Sequence, residues 1–130
     1  MLLYLVNNMN IELITEKKIL QNLINWLVNE FSLSLLEEKT KQVSVNVDSD
    51  NHAMIDLNSF HEYIKQDCGC FVMWNGIHDL CIGVFFNEKK IFFSLLGNSV
   101  VAKIHFVEKC FELLPDKIRQ SEEFQFTISA

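Results

Sequence analysis

Cys68, Cys70, His78 and Cys81 are the residues whose types best suit a metal site. Zinc takes cysteine and histidine ligands in a closed tetrahedron. Cys68 and Cys70 are two positions apart, so on a strand they would share a face. His78 and Cys81 lie just past a turn signal, Asn75-Gly76. The spacing departs from that of zinc knuckles, which leave two residues between paired ligands. Cys81 also stands inside an apolar run, and free cysteine is among the most buried residue types. The expectation is small buried thiols, one loop histidine, and no metal or other cofactor.

A cysteine nucleophile activated by His61, His78 or His105 would be the next chemistry to consider. None of the four cysteines has a nucleophile elbow or a papain-like or caspase-like context. Cys110 precedes Phe111 on a helical pattern, where packing explains it, and His105 between Ile104 and Phe106 reads as a helix-surface residue. The four glycines, Gly69, Gly76, Gly83 and Gly97, are scattered, and none forms a phosphate-cradling loop before a helix. No enzyme activity is expected. A small cysteine-dependent enzyme using Cys81 or Cys110 is kept as the last alternative, with rapid, selective alkylation of one thiol as its first sign.

Charge placement says more. Between residues 48 and 67 the chain carries Asp48, Asp50, Asp56, Glu62 and Asp67 against Lys65 alone. Five acids less one base leave −4 of a whole-chain net charge of −6. His52 and His61 share the window. A loop followed by a short helix can display these groups on one surface, either as a solvated loop that aids solubility or as a docking surface for a basic partner, where complementary charge speeds encounter and sets register. Trp74, beside Asn75-Gly76, is either core, as most tryptophans are, or an anchor at the hairpin end.

The elements that must position these groups follow from periodicity. Thr15 is placed to cap a helix with Glu16 in its first turn. Leu20, Ile24, Leu27 and Phe31 form its apolar stripe, widened by Leu23 and Trp26. Ser32 and Ser34 interrupt it, with a resumption expected over 35–39. Val43, Val45 and Val47 alternate with polar residues, as in a strand with one wet face. Ser59-Phe60-His61-Glu62 reads as a capping box opening a short helix to about Gln66. Residues 70–74, 80–86 and 91–96 are apolar runs with short connections, hence an antiparallel meander. Residues 80–86 are apolar at every position, which predicts a central strand covered on both faces. Gly97-Asn98-Ser99 then opens a second long helix, striped by Val100, Ile104, Val107, Phe111 and Leu114 and stopped by Pro115. Residues 124–128 alternate as a last strand beside an edge of the sheet. The fold class is α+β: a central three-strand meander plus flanking strands, packed against two main helices.

The bulk figures agree with a folded binding domain. The 130 residues suit one domain, and 49% are apolar. With a pI near 5.1 the chain repels phosphate backbones, so no nucleic-acid partner is expected. No run approaches the roughly 20 apolar residues that span a bilayer, so no membrane partner is expected. Residues 2–6 are too short for a signal-peptide core. The expected location is the cytoplasm, with reduced cysteines. Met9 offers a second start, which would make residues 1–8 an N-terminal extension.

Small size, acidity, an α+β build and an Asp/Glu-rich loop without catalytic motif together resemble bacterial immunity proteins that neutralise a cognate toxin, in particular those of contact-dependent growth inhibition systems. The likeness spans the general build of the whole chain and carries no motif, so it assigns no residue a role. It implies tight binding to a toxin domain, often a basic nuclease, by a monomer rather than a homodimer. Carboxylates placed where phosphates would sit can form charge-assisted hydrogen bonds. The residues expected at the interface are Asp48, Asp50, Asp56, Glu62, Asp67 and Trp74. The alternative is a type III secretion chaperone, also small, acidic and α+β, which works as a dimer holding an extended effector segment.

Overall fold

A computed structural model describes residues 10–14, 19–46, 52–77, 79–113 and 125–129. Seven strands form one antiparallel sheet: β1 (Asn10–Ile14), β2 (Val43–Asn46), β3 (His52–Ile55), β4 (Gly69–Asn75), β5 (Leu80–Phe86), β6 (Lys90–Leu95) and β7 (Gln125–Ser129). Three helices join them: α1 (Leu20–Phe31), α2 (Leu57–Tyr63) and α3 (Val100–Leu113). The spatial order is β3-β2-β4-β5-β6-β1-β7. The expected meander, β4-β5-β6, occupies the middle, and β7 lies at an edge, so the chain is α+β as read from its pattern.

Strand alternation sets the core. Phe71 and Met73 of β4 stand opposite Val84 and Ile82 of β5, and Val84 and Ile82 in turn face Phe93 and Leu95 of β6. All six are buried. The helices cover this face only. Leu20, Leu23, Ile24, Leu27 and Phe31 of α1 are buried, and Phe31 meets Phe106 of α3 at 4.6 Å between ring centroids. Phe60 of α2 meets Phe71 edge-on at 5.0 Å. Burying each such side chain contributes about 1.5–3 kcal/mol.

Several expectations need correction. β5 is central but not covered on both faces: Phe85 is 41% exposed and Cys81 half-buried, while Gly83 lies under Leu96. The apolar run thus reflects an outward face left open. Among the α3 residues whose burial is described, Phe106 and Cys110 are fully buried, with Lys103 also buried; Val100, Ile104 and Val107 of the expected stripe are half-buried and pack against the core, so the helix face is turned toward Phe106, and the side chains of Phe111 and Leu114 lie outside the described residues. Cys110 is part of the core, and His105 is exposed as expected. α1 is capped at Ile19 without a side-chain bond, and Thr15 lies outside the described residues. After α1 no helix resumes. Ser32 adopts a left-handed turn, φ 53°, and Ser34 pairs with Trp74 by two backbone hydrogen bonds, 2.8 and 3.0 Å. β1 and β3 are two short strands beyond the expected elements, and β1 is interior, between β6 and β7.

The Asn75-Gly76 turn is placed as expected, but Asn75 does more than turn the chain. It pairs with Leu80 at the end of the hairpin and is buried, 8% exposed. Its Nδ2 donates to the carbonyl of Phe31 at the end of α1, 3.1 Å. Its Oδ1 accepts from the amide of Ile77, 3.1 Å. One side chain thus ties helix to hairpin loop.

Candidate functional site

Of the acidic window, Asp56 stands at the start of α2, Glu62 within it and Asp67 after it. α2 is fixed from beneath by Phe60 and by Tyr63, whose ring stands edge-on to Phe86. The Tyr63 hydroxyl accepts from the amide of Cys70, 2.8 Å, and lies 3.0 and 3.1 Å from the carbonyls of Asn46 and Cys70. Burial pushes its phenol above the ordinary value, so it stays a donor. Gly69 leaves room for this contact: a Cβ there would come within 2.7 Å of both Tyr63 and Phe86. The inner side of α2 is therefore fixed to the sheet, which holds its outer side in place.

The structure places the expected residues unevenly. Asp56 is the N-cap of α2, accepting from the amide of Ser59 at 2.7 Å. The cap is thus Asp56 and not Ser59, and the helix ends at Tyr63, short of Gln66. Glu62 is exposed and pairs with Lys65 at 3.0 Å. Asp67 is exposed beside the β5-β6 turn, in a shallow depression shared with Glu88, Lys89 and Lys90, where charges of both signs meet. Asp48 and Asp50 lie outside the described residues. Trp74 is half-buried on the open face of the sheet, at the far end of β4 from Gly69, five strand positions or about 17 Å away. It therefore stands apart from Asp67, which closely precedes the Gly69 end of β4.

Two exposed apolar residues were missed from sequence. Met54 on β3 and Leu57 at the start of α2 are 40% and 42% exposed and stand on either side of Asp56 in sequence. Met54 pairs with Ser44, which places it on the open face of the sheet, away from the face that α2 covers. Apolar anchors ringed by charge are the usual make-up of a protein-docking patch.

The Asp56 cap gives a first prediction. The Ser59 amide, helped by the Ser59 hydroxyl, holds the Asp56 carboxyl below its ordinary 3.8. A lowered folded-state value contributes stability that is fully present above 3.8 and lost as pH falls through the folded value. Asp56→Asn keeps an acceptor at the cap but removes the titration. In urea midpoints measured down an acid series below the ordinary aspartate range, the native chain should lose stability more steeply than Asp56→Asn; parallel curves would contradict this.

The thiols are not brought together. Cys70 faces Phe85 and Cys81 faces Trp74 across the same strand pair, four positions or about 13 Å apart. Among the described residues no group of three or more His, Cys, Asp and Glu could hold a metal ion, and His78 lies outside them. Burial raises the thiol values of Cys70, Cys81 and, furthest, Cys110, the direction opposite to an activated nucleophile. Among the described residues no helix is long and apolar enough to cross a membrane.

Set against protein-family models, curated proteins and solved structures, the chain matches none of them at a significant level.

Proposed function

We propose that this chain is an immunity-type protein that binds and neutralises a cognate, basic toxin domain. The observation that carries this reading is the head of α2, where the exposed carboxylate of Asp56 is followed by the 42% exposed Leu57 on a helix anchored by Phe60 and Tyr63. A pre-ordered patch loses little freedom on binding, and the acids of residues 48–67 draw a Lys/Arg-rich surface toward it.

The direct experiment pairs the chain with the C-terminal domain of an exported protein encoded beside its gene. Co-expression should relieve growth arrest by that domain, and charge reversal at Asp50 and at Glu62 should each weaken the complex about tenfold without lowering thermal stability, as expected for charge pairs at an interface. Unchanged affinity in both variants would remove this surface from the interface.

One observation favours the chaperone reading. The open face of the sheet carries Val72, Trp74, Phe85 and Phe92, with Phe85 and Phe92 edge-on at 5.8 Å, a surface that a second copy would cover. Sedimentation velocity separates the two: a monomer supports immunity, and a stable homodimer supports the chaperone.

A further inference from the structure

A second surface lies away from the acidic window, where the end of α1, the β4-β5 hairpin loop and the start of α3 enclose an open groove of about 630 Å³. Its floor includes the buried Phe31 and Leu80. Its flanks include Ile77 and Val101, 91% and 78% exposed, the most exposed large apolar residues among those described. Isolated exposed apolar residues are ordinary; two on the walls of one groove with an apolar floor are a patch. Glu30, Asp79 and His105 also line it, and among the described residues no Lys or Arg does.

The groove is built stiff. Asn75 links the Phe31 carbonyl to the Ile77 amide, tying α1 to the loop that carries Ile77. Gly97 backs the same loop so closely that a Cβ there would overlap the Asp79 carbonyl oxygen. Ser99 caps α3 by accepting from the Ala102 amide, 3.2 Å, which fixes the turn bearing Val101. Of the three non-glycine residues with left-handed backbone among those described, two, Ser32 and Asp79, line this groove. Backbone held in that region costs energy and gathers where a surface is used.

We infer that this groove takes a segment of a partner protein in which one apolar side chain is flanked by Lys or Arg. The apolar side chain rests on Phe31 and Leu80 between Ile77 and Val101, and the basic groups meet Glu30 and Asp79. Two carboxylates on its walls disfavour an anionic group as occupant, and flanks that project into solvent suit a side chain delivered from a partner's surface. The inference rests on the protein-binding reading above but names a different surface, so the two can fail separately.

The test uses a nonapeptide with a central leucine between two lysines as probe, and follows backbone amide shifts of the full chain by NMR. Two control peptides replace the lysines by glutamate or the leucine by serine. The lysine-leucine probe should shift the amides of Phe31, Ile77, Asp79 and Val101, and the controls should not. Asp79→Asn suits its left-handed backbone, since Asn tolerates that region as Asp does, and Glu30 is exposed, so neither variant threatens the fold. Each of Asp79→Asn and Glu30→Gln should weaken the probe about two- to fivefold, as for exposed ion pairs, and the pair together about tenfold. Added salt should weaken binding further. No shifts at millimolar probe, shifts elsewhere on the chain, or equal binding of the glutamate control would overturn the inference. No toxin binding and no relief of growth arrest by the native chain in the experiment above, with the peptide still bound here, would sink the immunity reading alone.

Discussion

Phe93→Ala is expected to lower the unfolding free energy by about 3–5 kcal/mol, the range for removing a buried phenylalanine. Phe93 is fully buried. It stands between Val84 of β5 and Ile11 of β1 in the sheet, and Phe106 of α3 lies against it at 5.9 Å. It therefore joins the meander, the interior N-terminal strand and the second long helix. The neighbours are themselves held by sheet and helix, so the space cannot close and the cavity cost adds to the lost transfer energy. Phe85→Ala is the internal control. Phe85 is 41% exposed on the other face, and its loss should cost about 1 kcal/mol or less. Urea denaturation with an unchanged slope measures both. Equal losses in the two variants would mean that the sheet is not covered on one side only.

Asn75→Ala carries the next largest effect. Two groups lose their partner at once: the buried Phe31 carbonyl at the end of α1 and the Ile77 amide in the exposed hairpin loop. The Ile77 amide can turn to water, whereas the buried carbonyl left without a hydrogen bond costs about 1–3 kcal/mol. The effect has a local signature beyond lower stability. Hydrogen exchange at the Ile77 amide should accelerate more than the global loss accounts for, because the loop is released from the helix. Exchange there that simply follows global unfolding would show that Asn75 does not hold the groove together.

The centre of the fold was legible because its signals are local. Residues 80–86 and 91–95 are dense in Phe, Ile, Leu and Val, and α1 repeats its apolar residues at helical spacing. The edges were not. β1 shows only Ile11-Glu12-Leu13 as alternation, and its interior place depends on pairing with β6 and β7, far along the chain. β3 is four residues long, too short for a pattern. The stripe of α3 was misread because Ala102 and Lys103 give no clear apolar phase, so the half-buried Val100, Ile104 and Val107 outweighed Phe106.

The candidate site was legible as charge but not as geometry. The acids between 48 and 67 stand out in the sequence. That Asp56 is engaged in capping follows from where α2 begins, one turn earlier than Ser59 suggested. The exposure of Met54 follows from its pairing with Ser44 on the open face of the sheet. Glu30 and Asp79 are distant in sequence and line one groove, so no window of sequence could have joined them.

The central claim is that this chain binds a basic protein partner. The measurement that tests it most directly is a calorimetric titration of the purified chain with the toxin domain encoded beside its gene, at low and at physiological salt. A one-to-one complex in the nanomolar range, weaker at the higher salt, is the predicted result. No heat of binding at micromolar concentrations in either salt, with growth arrest by that domain unrelieved by the chain, would contradict it.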